Sequence, residues 1–153
     1  MTRALVSAGV PATKEPVGLT CRDGKCPDGT TQIPWRSGKL LVWDVTVVST
    51  LTDFYVTTAR GRGEVAELAA VRKCQKYSDI PSAYTFLPIA METLGSMNYS
   101  AYHFFEDLDR KISEVSGDSR EGSFIFQRLL VTIQRFNSTL FNESFTPHDD
   151  PDL

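Results

Sequence analysis

Lys39-Leu-Leu-Val-Trp-Asp-Val-Thr-Val-Val48 is the stretch on which the fold turns. β-Branched and apolar residues hold nearly every position, which predicts a strand rather than a helix. With so little polar alternation, the strand is expected to be central and covered on both faces. Asp44 interrupts it. A carboxylate in a buried strand is costly unless a metal, a cation or hydrogen bonds compensate it, so Asp44 is the most informative residue of the run.

On the N-terminal side, residues 20–31 are dense in Asp, Gly, Lys and Pro and must contain a turn, consistent with a hairpin. A first strand is expected over residues 12–19, shortened or held to an edge by Pro16. Ahead of it, residues 1–8 have helix-forming character and stop at Gly9, with Pro11 close behind. On the C-terminal side, residues 59–78 predict a helix with Val65, Leu68, Ala69 and Arg72 near one stripe, closed by Asp79-Ile80-Pro81. Residues 84–91 form a second apolar strand, in which Pro88 predicts an edge, a bulge or an early stop. Residues 100–116 and 119–140 are amphipathic helices, and Phe124, Leu129, Val131, Ile133 and Phe136 are expected to give the second its core face. The pattern is α/β, a mixed central sheet flanked by helices with two helices at the C-terminal end.

The 153 residues, 41% of them apolar and 23% charged, suit one globular domain. That domain is expected over residues 1–145, its first helix looking cut short, and 146–153 form an acidic tail expected to be disordered. No run approaches the length of a membrane span or a signal-peptide core, so an intracellular protein is expected. Cys21, Cys26 and Cys74 make an odd count with no partner set for zinc, which predicts unpaired thiols. The net charge of −3 runs against the basic excess usual in nucleic-acid binders, although the three aspartates of the tail account for it.

Pro27-Asp28 at the mouth of the turn-rich segment, Asp44 in the strand, and Lys73 with Lys76 on the following helix form a constellation. Phosphodiester hydrolysis uses a divalent ion to activate water and neutralise charge. Two carboxylates from adjacent strands can hold such an ion and leave positions for water and phosphate. A lysine nearby can orient the water or screen developing charge. Three apart on a helix, Lys73 and Lys76 share a face, and the sequence does not choose between them.

Lys25-Cys-Pro-Asp28-Gly, Leu41-Val-Trp-Asp44-Val-Thr, Lys73-Cys-Gln-Lys76-Tyr77 and Phe86-Leu-Pro-Ile-Ala-Met-Glu92-Thr-Leu-Gly95 follow one another in an order that resembles a known family. It is the PD-(D/E)xK restriction-like endonuclease domain found downstream of reverse transcriptase in some non-LTR retrotransposons. The resemblance implies a restriction-endonuclease-like core and a Mg²⁺ (or Mn²⁺) dependent enzyme that nicks target DNA to prime reverse transcription. It makes DNA the substrate, a reverse transcriptase domain of the parent polyprotein a partner, and the nucleus the place of action on chromosomal DNA. The family's metal carboxylates map onto Asp28 and Asp44 and its basic catalytic position onto Lys73 or Lys76. Glu15 and Glu92 become lesser candidates for outer-shell or metal contacts. Two departures stand out: Cys26 occupies a position usually basic in the family, and Thr46 stands where the plain motif places its lysine. They keep open an alternative, a catalytically inactive retrotransposon-derived relic acting at most as a DNA-binding or protein-interaction module.

Overall fold

The run from Lys39 becomes the longest joint of the sheet, because each of its residues has a neighbouring chain to bond. A computed structural model of the protein describes residues 1–16, 18, 19, 26–49, 63–121 and 123–144. Its elements are α1 (Thr2–Ser7), β1 (Ala12–Lys14), β2 (Gly29–Thr31), β3 (Leu40–Val48), α2 (Glu64–Lys76), β4 (Tyr84–Glu92), α3 (Tyr99–Ser116) and α4 (Ser123–Ser144). The strands lie in the order β1-β2-β3-β4. β1 with β2 and β2 with β3 are antiparallel, whereas β3 and β4 are parallel from Leu40↔Tyr84 to Val48↔Glu92. A parallel pair needs a crossover, and α2 lies in it.

Strand alternation sorts the side chains between two layers. Leu41, Trp43, Leu87, Ile89 and Met91 face α1, α3 and α4 and join Leu5, Phe104, Phe105, Leu108, Ile112 and Ile133 in the main core. On the opposite face Ala90 packs with Ala66, Ala69 and Ala70 of α2, with Val48 against them. Only Leu41 to Asp44 are buried in β3; Val45 and Val47 are about two-fifths exposed, so the expected cover on both faces holds for the strand's first half.

Pro88 is accommodated because, among the described residues, β4 is an edge of the sheet. Asn98, fully buried, stands in for the missing neighbour: its Oδ1 accepts from the Ala90 N–H at 2.8 Å and its Nδ2 donates to the Pro88 C=O at 3.1 Å. N–H and C=O of one strand residue point the same way, so the donor that Pro88 lacks would also face this outer side, not β3. Asn98 is thereby unfit as the glycan acceptor its Asn-Tyr-Ser context suggests.

Several expectations need correction. β1 ends at Lys14, since Glu15 adopts a left-handed φ of 46°. The helix of the crossover begins by residue 64 among described residues, and its buried stripe is Val65, Ala66, Ala69 and Ala70; Leu68 is 37% exposed and Arg72 is exposed. In α4 the buried residues are Ile125 and Ile133, while Phe124 and Val131 are about half exposed, because they point almost opposite to that seam. Cys26 is disulfide-bonded, with a partner outside the described residues, and Cys74 is free. The acidic tail also lies outside them. Among the described residues no helix is long and apolar enough to cross a membrane.

Candidate functional site

Asp28 is placed by the start of β2. Pro27 is buried, the Asp28 N–H donates to the Trp43 C=O at 3.0 Å, and the Val45 N–H donates to Asp28 Oδ2 at 2.6 Å. The Asp28 side chain therefore lies along β3 next to Asp44. Gly29 is a strand residue, not a turn residue: it pairs with Trp43, whose ring would come within 2.1 Å of any Cβ added there. Glycine lets the indole lie flat over β2 on the core face. By strand alternation Asp28, its neighbour, is turned to the α2 face.

Asp44 sits on that same face, 4% exposed. From α2, Lys73 Nζ reaches Asp44 Oδ2 at 2.5 Å. Oδ2 is buried and meets no donor in good angular geometry, so the Lys73 contact is ionic in distance but poorly aligned as a hydrogen bond. The carboxylate is thus neutralised yet keeps unsatisfied acceptor capacity. The alanines of α2 explain the reach: Ala66, Ala69, Ala70, Lys73 and Tyr77 follow one another at helical spacing down one stripe, and the small residues let the helix lie close to the sheet.

Tyr77 closes the cluster. Its ring is buried against Phe86, 4.9 Å between centroids, and Lys76 Nζ donates to its hydroxyl at 3.2 Å. Burial pushes the Tyr77 hydroxyl above its ordinary value; negative Asp44 and Asp28, and a hydrogen bond to Asp44, push the same way, while Lys73 opposes them. A raised phenol keeps its proton beside the Asp44 carboxylate. The sequence marks Tyr77 only by its place one position after Lys76 in the Lys73-Cys-Gln-Lys76-Tyr77 run.

The structure thus separates the two lysines. Lys73 meets the buried carboxylate, and exposed Lys76 donates instead to the Tyr77 hydroxyl. Glu15 lies beyond β1 with its side chain exposed, and only its backbone N–H touches the cluster's frame, donating to the Asp28 C=O at 2.9 Å. Glu92 is elsewhere. It stands four residues beyond Pro88, the register partner of Asp44, hence roughly 13 Å down the sheet. Its buried Oε1 accepts from the Ala66 N–H at 3.3 Å, satisfying a free donor in the first turn of α2, where a negative charge is favoured. Glu92 caps α2 and stands apart from the two aspartates.

Among the described residues no group of three or more His, Cys, Asp or Glu side chains is placed to hold a metal, and Asp28 and Asp44 lie side by side on this face without a third. No protein-family model matches the chain, and no curated protein matches it significantly.

Proposed function

We propose that Asp28, Asp44 and Lys73 form the active site of a Mg²⁺-dependent DNA endonuclease with a restriction-endonuclease-like core, one that nicks target DNA during retrotransposition. The observation that carries this reading is the convergence of carboxylates from two adjacent strands with a lysine amine 2.5 Å from the more buried of them. The element order and the antiparallel β1-β2-β3 joined to a parallel β4 support the fold half of the reading.

The donor set suits Mg²⁺ or Mn²⁺. Two carboxylates are too few for a closed structural site but match the habit of Mg²⁺, which keeps several waters and binds phosphate besides. The unsatisfied Asp44 Oδ2 is the acceptor such an ion would complete. When bound, the ion supplies activation of water and neutralisation of phosphate charge. Lys73 holds positive charge beside Asp44, where a phosphate drawn to the site would meet it. In this reading DNA is the substrate and a reverse transcriptase domain the partner in the parent polyprotein. The nucleus is then the place of action, where the Cys26 disulfide would be open to reduction.

A second reading, the inactive relic, is favoured by one observation: the Lys73 contact already neutralises Asp44 with no ion needed. Supercoiled plasmid separates the two. The endonuclease reading expects nicking that requires Mg²⁺ or Mn²⁺, stops with chelator, and falls by at least about a thousandfold in Asp28→Ala and Asp44→Ala, equal to ~4 kcal/mol of barrier. The same ions should raise the wild-type melting temperature and leave that of both variants unmoved. Wild type showing neither nicking nor a metal-dependent shift establishes the relic. Metal-dependent nicking that survives Asp44→Ala would place the site elsewhere.

A further inference from the structure

The chain between β2 and β3 turns at Ser37-Gly38, and the residues on either side of the turn are both cations. The Lys39 N–H donates to the Arg36 C=O at 3.0 Å and the Trp35 N–H to the Lys39 C=O at 2.9 Å. Ser37 and Gly38 have φ of 52° and 72°, the positive pair that marks a tight hairpin turn. Arg36 and Lys39 are thereby set directly opposite each other, both exposed. Like charges in such a pair destabilise a hairpin, so the fold itself gives no reason for them.

Trp35 fastens this hairpin to α3. Its ring packs on Phe104, 5.1 Å between centroids, and Lys111 Nζ stands 4.7 Å from the same ring. Asp107 of α3 holds the guanidinium of Arg36 at 2.5 Å and that of Arg110 as well. One carboxylate thus fixes two planar forks, and each fork keeps N–H donors for another anion. Between hairpin and helix lies a cleft of about 240 Å³, lined by Trp35, Arg36, Asp107, Arg110, Lys111 and Glu114. With Lys39 opposite Arg36, four cations stand against two carboxylates here, on a chain of net charge −3. Among the described residues no carboxylate pairs with Lys39 or Lys111, and His103 and Glu106, next along α3, pair with each other.

We infer that this cleft, with Arg36, Lys39, Arg110 and Lys111, is an anchoring site for backbone phosphates of duplex DNA, separate from the paired aspartates. The choice of DNA rests on the endonuclease reading; the choice of phosphate rests on the cleft. Its one apolar side chain, Trp35, already has its ring against Phe104 and Lys111, so what the cleft offers a partner is positive charge and N–H donors. The DNA backbone is recognised by those alone. Asp107 raises the specificity of the site rather than cancelling it, because it holds two arginines in place and leaves that trio with a net positive charge. The cleft lies on the α3 side of the sheet, whereas Asp28 and Asp44 face α2. Lys39 also precedes Asp44 by five residues, roughly 17 Å of extended chain. A phosphate held here is therefore not the one at the aspartates, and the site contributes affinity, not chemistry.

Fluorescence anisotropy with a short labelled duplex, in chelator so that no strand is cut, reads the anchoring by itself. Lys39→Gln with Arg110→Gln is expected to weaken binding at least about fivefold and to lower the slope of log Kd against log salt by about two, one for each lost contact. Arg128→Gln with Arg135→Gln removes the same charge from α4 and is expected to change neither quantity. Circular dichroism would show each fold intact. A second measurement needs no variant: duplex is expected to shield Lys39 and Lys111 of the wild type from acetylation, read by mass spectrometry. Equal weakening by the α4 pair would mean diffuse attraction and overturns the inference. Acetylation of Lys39 and Lys111 that DNA leaves unchanged overturns it as well, and so does a wild type that binds no duplex. Because binding is read without metal, a failure of plasmid nicking counts against the endonuclease reading alone and leaves the anchoring site standing.

Discussion

Trp43 and Asp44 are neighbours in one strand and belong to different environments. The face that carries Trp43 is filled with large side chains, Leu87, Ile89, Phe104 and Phe105 among them. The face that carries Asp44 is lined by Ala66, Ala69, Ala70 and Ala90, and charged or polar groups begin where the alanines end. Large residues bury more area and hold sheet and helices together. Small ones bring α2 close enough for a lysine side chain to reach a carboxylate set in the sheet. Period-two alternation keeps the two kinds of residue apart while they share a backbone, so changes on one face should be felt little on the other.

Trp43→Ala is the strongest way to break that comparison. Removing a buried indole from the core face, and uncovering Gly29, is expected to cost about 3–5 kcal/mol in urea or thermal unfolding. A cost below ~1 kcal/mol would mean that the core face is not where stability resides. The edge that both faces share comes next. Asn98→Ala leaves the Ala90 N–H and the Pro88 C=O buried without partners and is expected to cost about 1–3 kcal/mol, with Asn98→Asp recovering only the Ala90 bond.

On the α2 face the matching test is a double-mutant cycle with Asp44→Ala and Lys73→Ala. From sequence alone, two neighbouring carboxylates suggest mutual repulsion, and Asp44→Ala is expected to be neutral or even stabilising without metal. The Lys73 contact changes the sign, because the carboxylate has a cation at 2.5 Å to lose. Lys73 is about a quarter exposed and can turn its amine to water when Asp44 is gone, so the coupling is expected to be modest, about 1–2 kcal/mol. Zero coupling would restore the repulsion picture and remove Lys73 from the site.

What could be read from residues alone follows the same division. β3 and β4 were legible because β-branched runs declare themselves, and Asp44 was legible because it violates one. β2 was not, since three residues, Gly29–Thr31, carry too little pattern to rise out of a turn-rich segment. The choice between Lys73 and Lys76 was hidden because they differ by about 60° around the helix. Packing of three alanines against the sheet sets that rotation, and alanine barely marks a face in a hydrophobic pattern. The same ambiguity misassigned Phe124 and Val131 to the core of α4. Glu92 and Asn98 satisfy backbone groups of elements distant in sequence, which no local spacing announces.

The smallest expected effect isolates Tyr77 from everything around it. Tyr77→Phe keeps the ring on Phe86 and removes only the hydroxyl that accepts from Lys76 beside Asp44, so at neutral pH a loss of about 1 kcal/mol is expected. The pH dependence carries the sharper information. The folded-state pKa of Tyr77 lies above the ordinary 10.0, so this group's stabilisation is complete below that pH and is lost as pH rises through the folded value, where the native state too gives up the proton. Phenylalanine has no such proton. The gap in stability between wild type and Tyr77→Phe should therefore be constant from neutral pH to about 10 and shrink above it, while the remaining tyrosines and the lysines contribute equally to both proteins. Unfolding midpoints measured in urea across that range would show it. A gap that stays constant above pH 10 would mean that the Tyr77 hydroxyl is open to water and away from Asp44, and Lys76 would then have no link to the cluster on the α2 face.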